Sequence, residues 1–132
     1  LTGEQSHNKT IVSGEGVKIS FDIESSIDLD NITAGMQIND RFGQTVYGTN
    51  TFHLKQKISI QPENFTRVTF SMAMNIGPGA YSLTGALHTG DIHLDDCYHW
   101  ADSMIDFEVV GFSDSFFEGL CKLEPSVTVV DL

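Results

Sequence analysis

The densest group of side chains with chemical potential lies between Asp91 and Asp102, where four aspartates, two histidines and one cysteine occur within twelve residues. Oxygen ligands from the aspartates could hold calcium, and His93 with His99 could favour a transition metal. Their spacing matches neither an EF-hand nor a zinc motif, and acidic loops on an acidic chain are usually solvated. The sequence therefore predicts no bound metal and no other cofactor.

A catalytic role is also disfavoured. Cys97 and His99 are a conceivable nucleophilic pair, but residues two apart in a loop have no fixed geometry. The chain contains no GxxxxGK[ST], GxGxxG, GxSxG or HExxH motif, so no nucleotide loop, serine nucleophile or zinc-protease helix is indicated. A glycosidase needs two carboxylates at a set separation, which a sequence cannot show. We expect a domain that is not an enzyme.

Composition narrows the possible partners. Seven Lys and Arg against eighteen Asp and Glu give 132 residues a net charge of −11. Such a surface repels phosphate backbones and anionic lipid headgroups, so we expect no nucleic-acid partner and no direct membrane insertion. Cys97 and Cys121 are too few for a disulfide framework, which favours reduced thiols in a cytoplasm. The length suits one domain, and the start at Leu1 suggests a piece of a longer polypeptide.

Period-2 alternation of apolar and polar residues predicts short, half-buried strands. The alternating runs cover residues 17–24, 33–39, 67–74, 81–88 and 105–109. Turn signals separate them, such as Gly-Pro-Gly at residues 77–79. Antiparallel strands with one wet face pack sheet on sheet. The prediction is an all-β, immunoglobulin-like antiparallel sandwich over residues 13–110.

The C-terminal segment, residues 111–132, fits this sandwich poorly. Apolar residues between Phe112 and Glu124 have roughly helical spacing behind a possible Ser113 or Asp114 cap, and Pro125 ends the pattern. The apolar pattern of residues 127–131 predicts one more strand, at the end of an arm formed by residues 111–132. That strand could be exchanged with a neighbouring protomer or could fold back onto its own sheet.

Two predicted strands carry unusually short polar side chains where exposed strands commonly carry long charged ones. The expected wet-face positions are Ala80, Ser82, Thr84, Ala86 and His88 on one strand, with Thr33, Gly35, Gln37 and Asn39 on the other. Such a smooth face could hold a sugar chain through amides and hydroxyls, with Tyr98 and Trp100 as a platform for sugar rings. Equally, it could make room for another protein surface, and Trp100 could be a core residue.

Four ordered segments carry a family resemblance: INDRFGQTVYGTNT at residues 38–51, GPGAYSLTGALH at 77–88, YHW at 98–100 and IDFEVV at 105–110. Together they resemble the C-terminal carbohydrate-binding domain of Wzt proteins, the ATP-hydrolysing components of bacterial exporters of O-antigen polysaccharide. Many relatives have Tyr-Asp-Trp where this chain has Tyr-His-Trp.

The resemblance implies a non-catalytic, β-sandwich reader of the non-reducing end of a lipid-linked glycan, working as a homodimer with an exchanged C-terminal strand. An upstream ATPase domain and a membrane permease would be its partners, at the cytoplasmic face of the bacterial inner membrane. The candidate carbohydrate-binding residues are Gln37, Asn39, Ser82, Thr84, His88, Asp95, Tyr98, His99 and Trp100. Further candidates are Tyr47, Thr49, Asn50 and Thr51, although the Gly-Thr-Asn-Thr run at 48–51 could instead simply build a strand and its turn. A dimerisation or docking domain without glycan contact is the alternative.

Overall fold

The structure is a computed structural model. It describes residues 1–6, 9–24, 28–62, 65–89 and 97–132, and within strands the side chains of residues 29, 89 and 97–104 are outside the description. Among the described residues no helix is long and apolar enough to cross a membrane.

Nine strands make up the described fold. In chain order they are β1 (Thr2–Gly3), β2 (Thr10–Ser13), β3 (Gly16–Ile23), β4 (Leu29–Asp40), β5 (Thr45–Asn50), β6 (Ile58–Ile60), β7 (Thr66–Ala73), β8 (Gly79–Thr89) and β9 (Cys97–Phe112). All five alternating runs fall on β3, β4, β7, β8 and β9, which confirms the predicted all-β fold.

The strands form two sheets. One has the order β1-β3-β7, and the other has the order β2-β9-β8-β4-β5. The short strand β6 pairs with the first residues of β4, and β5 pairs with its last residues. All pairs are antiparallel except β2 with β9, which is parallel. The sandwich is therefore mixed rather than purely antiparallel, because β2 enters on the outside of the last strand of the large sheet.

The core lies between the sheets. Alternate residues of β3, including Val17 and Ile19, meet alternate residues of β4 and β8, including Met36, Ile38 and Leu83. A second cluster packs Ile23 against Ile32, Ile58 and Ile60 at the other end. Burial of these side chains on one face of each strand is the reason for the period-2 pattern.

The predicted helix between Phe112 and Glu124 is wrong. Phe112 ends β9, and the backbone that follows bonds to the loop after β7 instead of to itself: Gly77 N donates to Leu120 O at 2.9 Å, and Lys122 N to Asn75 O at 2.9 Å. Gly119 has φ 101°, which a helix does not allow. The helical spacing instead reflects a local aromatic cluster, in which the Phe112 ring lies edge-on to the Phe116 and Phe117 rings at 5.0 and 5.2 Å.

The end of the chain pairs with no described strand. Residues 126–132 form no strand in the single chain and are exposed, Val127 at 87% and Val129 at 86%. The chain thus does not fold back onto its own sheet, and exchange with a second protomer stays a prediction. Cys121 is a free, exposed thiol.

Three segments meet at the turn between β2 and β3, which we call the junction. Glu15 N donates to Val12 O, Gly14 N to Met74 O and Met74 N to Glu15 O, joining this turn to the end of β7. The Ser13 hydroxyl donates to Ile76 O at 2.7 Å. The Ser113 hydroxyl, expected as a helix cap, donates to Ser13 O at 2.8 Å. The start of the C-terminal arm is therefore held by the β2–β3 turn.

Candidate functional site

A groove runs along the outer face of the large sheet, the face turned away from the small sheet. The register pairs Gln37 with Thr84 across β4 and β8, and Gln37 with Gly48 across β4 and β5. Directly opposed residues of antiparallel strands point to the same face. These three strands therefore place the side chains of Gln37, Thr84 and their i±2 neighbours on one surface.

This opening, the main groove, has a volume of about 500 Å³. Backbone and side chains of three strands and the turn after β5 line it. The lining residues are Gly35, Met36, Gln37, Thr45, Gly48, Thr49, Asn50, His53, Thr84, Gly85, Ala86 and His88. Gly35 and Gly48 lack a Cβ on the floor and wall of the groove, which leaves its middle open.

A hydrogen-bonded triad of side chains forms one end of the main groove. Gln37 Nε2 donates to Asn39 Oδ1 at 3.0 Å and also to the hydroxyl of Thr45. The Thr45 hydroxyl in turn donates to Asn39 Oδ1 at 3.2 Å. The triad uses both hydrogens of the Gln37 amide nitrogen and so leaves its carbonyl Oε1 as an acceptor of fixed direction. Oriented amide groups are the kind of partner that sugar hydroxyls need.

The floor of the main groove is less accessible than the sequence suggests. Thr84, Ala86 and His88, expected on a wet face, are buried, with Thr84 at 4% and His88 at 1% exposure. The Thr84 hydroxyl also makes a long contact, 3.5 Å, to Gln37 O. Exposure at these three positions was thus wrongly predicted, although all three line the groove. It was also wrongly predicted at Thr33, which is 3% exposed.

The Gly-Thr-Asn-Thr run ends β5 and builds the turn after it, as the structural alternative had it. The buried Thr51 hydroxyl accepts from Ala34 N at 3.1 Å, and Asn50 Oδ1 accepts from His53 N at 2.7 Å. These bonds hold the turn of residues 51–56 beside the main groove. They place the exposed imidazole of His53 at its rim, where the ring nitrogens can hydrogen-bond a ligand.

Ser82 does not lie in the main groove. It is paired with Asn39 across β4 and β8 and opens into a second groove of about 660 Å³. We call this the hairpin groove, because the β4–β5 hairpin forms one side. Its lining residues are Lys9, Thr10, Asp40, Arg41, Gly43, Ala80, Tyr81, Ser82, Asp106, Phe107 and Glu108. Burial, with the Asp40 carboxylate nearby, raises the pKa of Tyr81, whose hydroxyl donates to Gly77 O at 2.6 Å.

Four candidate residues are not placed. Asp95 lies outside the described residues, as do all of residues 91–96 of the cluster from Asp91 to Asp102, and the side chains of residues 97–102 are outside the description as well. Tyr98, His99 and Trp100 belong to β9 by their backbones, with Trp100 paired to Ala86 and His99 to Leu87. Their side chains are outside the description. Of the nine candidates, the structure brings Gln37, Thr84 and His88 together, with Asn39 bonded to Gln37 beside them.

Sequence reasoning missed two groove residues, Thr45 and His53. Thr45 sits on a strand with no apolar alternation, and His53 sits in the turn beyond it, so neither gave a signal on its own. Gly48 was the one signal in this segment, because a glycine inside a strand often marks a place where a ligand or another backbone comes close. The described residues of the assembled groove offer amides, hydroxyls and one imidazole, which are groups that can hydrogen-bond a ligand.

Comparisons with known proteins identify the family of the chain. No curated protein matches the chain significantly. Among solved structures, a crystal structure of the C-terminal domain of Wzt superposes with a TM-score of 0.81 at 21% identity, covering 92% of this chain and 74% of that one. At this identity the match supports the fold alone. The family described as the Wzt C-terminal domain matches residues 1–123. The chain therefore belongs to the Wzt C-terminal domain family.

Proposed function

We propose that this domain is a non-catalytic carbohydrate-binding domain that recognises the non-reducing end of a lipid-linked O-antigen polysaccharide, for export by an ABC transporter. The observation that carries the proposal is the Gln37, Asn39 and Thr45 triad, fixed at one end of an open groove. Membership of the Wzt C-terminal domain family supplies the exporter context.

The chemistry of the main groove suits a sugar better than a charged ligand. Its walls present an oriented amide at Gln37, hydroxyls at Thr45 and Thr49, and an imidazole at His53. The Gln37 carbonyl and the Thr45 hydroxyl can accept from a sugar hydroxyl, and the Thr49 hydroxyl and the His53 imidazole can donate or accept. No described residue that lines the groove is Lys, Arg, Asp or Glu. A neutral, polyhydroxylated ring finds hydrogen-bond partners there. Unlike a charged ligand, it pays no large desolvation penalty when it enters the groove.

The remaining candidates keep their proposed roles. Tyr98 and Trp100, on the strand next to β8, would supply an apolar platform for a sugar ring. Asp95 and His99 would add hydrogen-bonding groups from the same region. His88 is buried at the groove. It would support the residues that line the groove and would not contact the sugar itself.

The domain would act as a reader and not as a catalyst. It would work on the cytoplasmic side of the inner membrane, with an upstream ATPase domain hydrolysing ATP and a membrane permease moving the polymer. A weak site is sufficient for this task, because two sites on a dimer raise the local concentration of a long chain.

A homodimer is part of the proposal. Val127 and Val129 alternate on an exposed arm, and β5 and β7 are edge strands of the two sheets. An unpaired apolar segment and an open sheet edge both promote aggregation. Exchange of the arm between two protomers would pair the segment with the edge and so remove both risks. The same arm favours the alternative function, a dimerisation or docking domain that makes no glycan contact.

Titration calorimetry of the domain against a panel of O-polysaccharides with different end groups tests the proposal. Gln37→Ala should weaken binding of the responding polymer about tenfold, since one or two hydrogen bonds are lost. Gln56→Ala, an exposed glutamine outside the main groove, should bind like the unaltered domain. A dimer that binds no member of the panel would favour the docking alternative.

A further inference from the structure

We infer that the hairpin groove binds a second stretch of the same polysaccharide, the sugars that follow the end residue held in the main groove. This inference rests on the proposed function and extends it from recognition of an end residue to recognition of an end sequence. The domain would then discriminate polymers by the repeat next to the terminus as well as by the terminus itself.

The two grooves lie on one continuous face. The Gln37 and Thr84 pair of the main groove is followed, two residues along each strand, by the pair of Asn39 and Ser82. Ser82 in turn lies across from Asp106 on β9. At about 3.3 Å per residue, Thr84 and Ala80 are ~13 Å apart along β8, which exceeds the width of one sugar ring. A ligand that fills the main groove and continues along β8 therefore enters the hairpin groove.

The lining of the hairpin groove is largely polar. It includes the cations Lys9 and Arg41, the carboxylates of Asp106 and Glu108, and the hydroxyls of Thr10 and Ser82. The third carboxylate, that of Asp40, is already engaged, because its Oδ1 accepts from Phe42 N and Gln44 N, each at 2.9 Å. Two cations stand against three acids, so the lining carries a net charge of −1. Its charged groups and hydroxyls can all hydrogen-bond a neutral saccharide, and the net negative charge disfavours an anionic ligand.

The wall of the groove is built before any ligand arrives. Besides the two bonds to the Asp40 carboxylate, Gly43 N donates to Asp40 O at 3.0 Å, and Gly43 has φ 80°, which favours glycine. The Arg41 guanidinium lies 4.7 Å from the centre of the Phe42 ring. Phe42 is 79% exposed. The hairpin thus holds the guanidinium of Arg41, which lines the groove, against the exposed ring of Phe42 beside it, so that less ordering is needed when a ligand binds.

The test compares ligand lengths. From an O-polysaccharide that binds the domain, oligosaccharides of one to eight sugars that keep the non-reducing end are prepared and titrated by calorimetry. Affinity should rise with length until both grooves are filled. The double variant Arg41→Ala with Phe42→Ala should lose about tenfold for the long oligosaccharides and nothing for the shortest that binds, since only contacts beyond the main groove are removed. Phe65→Ala, another exposed phenylalanine in a distant loop, is the matched control.

The outcomes are distinguishable. If affinity does not rise with length, or if the double variant weakens short and long ligands equally, the inference is overturned while the proposed function stands. If Gln37→Ala weakens every length and the double variant only the long ones, the inference holds. If no polymer binds the unaltered domain, the proposed function fails and the inference with it.

Discussion

Replacing Glu15 by glutamine should strongly destabilise the fold, although the two side chains have the same shape. Glu15 is 2% exposed. Its Oε2 accepts from Gln5 N at 2.6 Å and Ser6 N at 3.2 Å, and its Oε1 accepts from Val12 N at 2.7 Å and from the Ser6 hydroxyl. One carboxylate therefore ties residues 5 and 6 to the β2–β3 turn.

The magnitude follows from these four bonds. In Glu15→Gln the amide group replaces one oxygen and faces at least one backbone N–H, because both oxygens accept from one. A buried donor without an acceptor costs about 1–3 kcal/mol. The bonds that remain lose the assistance of the negative charge, about 1 kcal/mol each. The expected loss is about 3 kcal/mol, which lowers the melting temperature by roughly 10 °C for a domain of this size.

The pH dependence has a definite sign. Burial of Glu15 raises its pKa, but the bonds from Ser6, Val12 and Gln5 together outweigh burial, and the pKa is lowered from 4.5. A carboxyl whose pKa is lower in the folded state stabilises the fold above its unfolded pKa. That contribution is complete above pH 4.5 and is lost as the pH falls through the lowered value. The stability gap between the two proteins should therefore shrink on acidification.

Urea unfolding of both proteins between pH 3 and pH 7 measures the gap. Glu24→Gln removes an equal charge from an exposed position and should change stability by less than about 0.5 kcal/mol. A Glu15→Gln protein as stable as the Glu24→Gln protein at pH 7, or a gap that widens in acid, would refute the assignment of Glu15 as the carboxylate that holds the N-terminal segment.

Two further predictions concern the C-terminal arm. Gly77→Ala should destabilise the domain by about 2 kcal/mol and speed proteolysis within residues 113–125, because the added Cβ would lie 2.7 Å from Gly119 O. Gly48→Ala is the control, since its Cβ would lie 3.5 Å from Met36 O. Equal proteolysis of the two variants would contradict the packing of the arm against Gly77. Removing residues 126–132 should leave the melting temperature within a few degrees, since these residues are exposed, while shifting dimer to monomer in sedimentation velocity; a persisting dimer would exclude strand exchange.

Alternation predicted the strands that bury one face and missed the others. β3, β4, β7, β8 and the end of β9 lie over the core, so their apolar residues recur at every second position. β5 is an edge strand with mostly exposed side chains, and β6 has only three residues. Neither carries enough alternate burial to leave a pattern. The helix expected after Phe112 failed for a related reason, because aromatic rings that cluster locally imitate helical spacing.

The candidate site was predictable only in part, because a sequence shows which residues share a strand but not which strands are neighbours. Gln37, Thr84 and His88 could be chosen from their own strands. Thr45 joins them only through the pairing of β5 with β4, and His53 only through the turn that Asn50 holds. Register also moved Ser82 from the main groove to the hairpin groove.

The junction and the main groove share no residue, and this separation allows binding losses at the main groove to be distinguished from losses of stability. The bonds of Glu15, Ser13 and Gly77 join the N-terminal segment, the end of β7 and the arm. None of them involves a residue that lines the main groove. A Glu15→Gln protein kept below its melting temperature should therefore bind O-polysaccharide with unchanged affinity per site. Weaker binding in that variant would mean that the outer face of the large sheet depends on the junction, and the losses in Gln37→Ala could then no longer be assigned to direct contact alone.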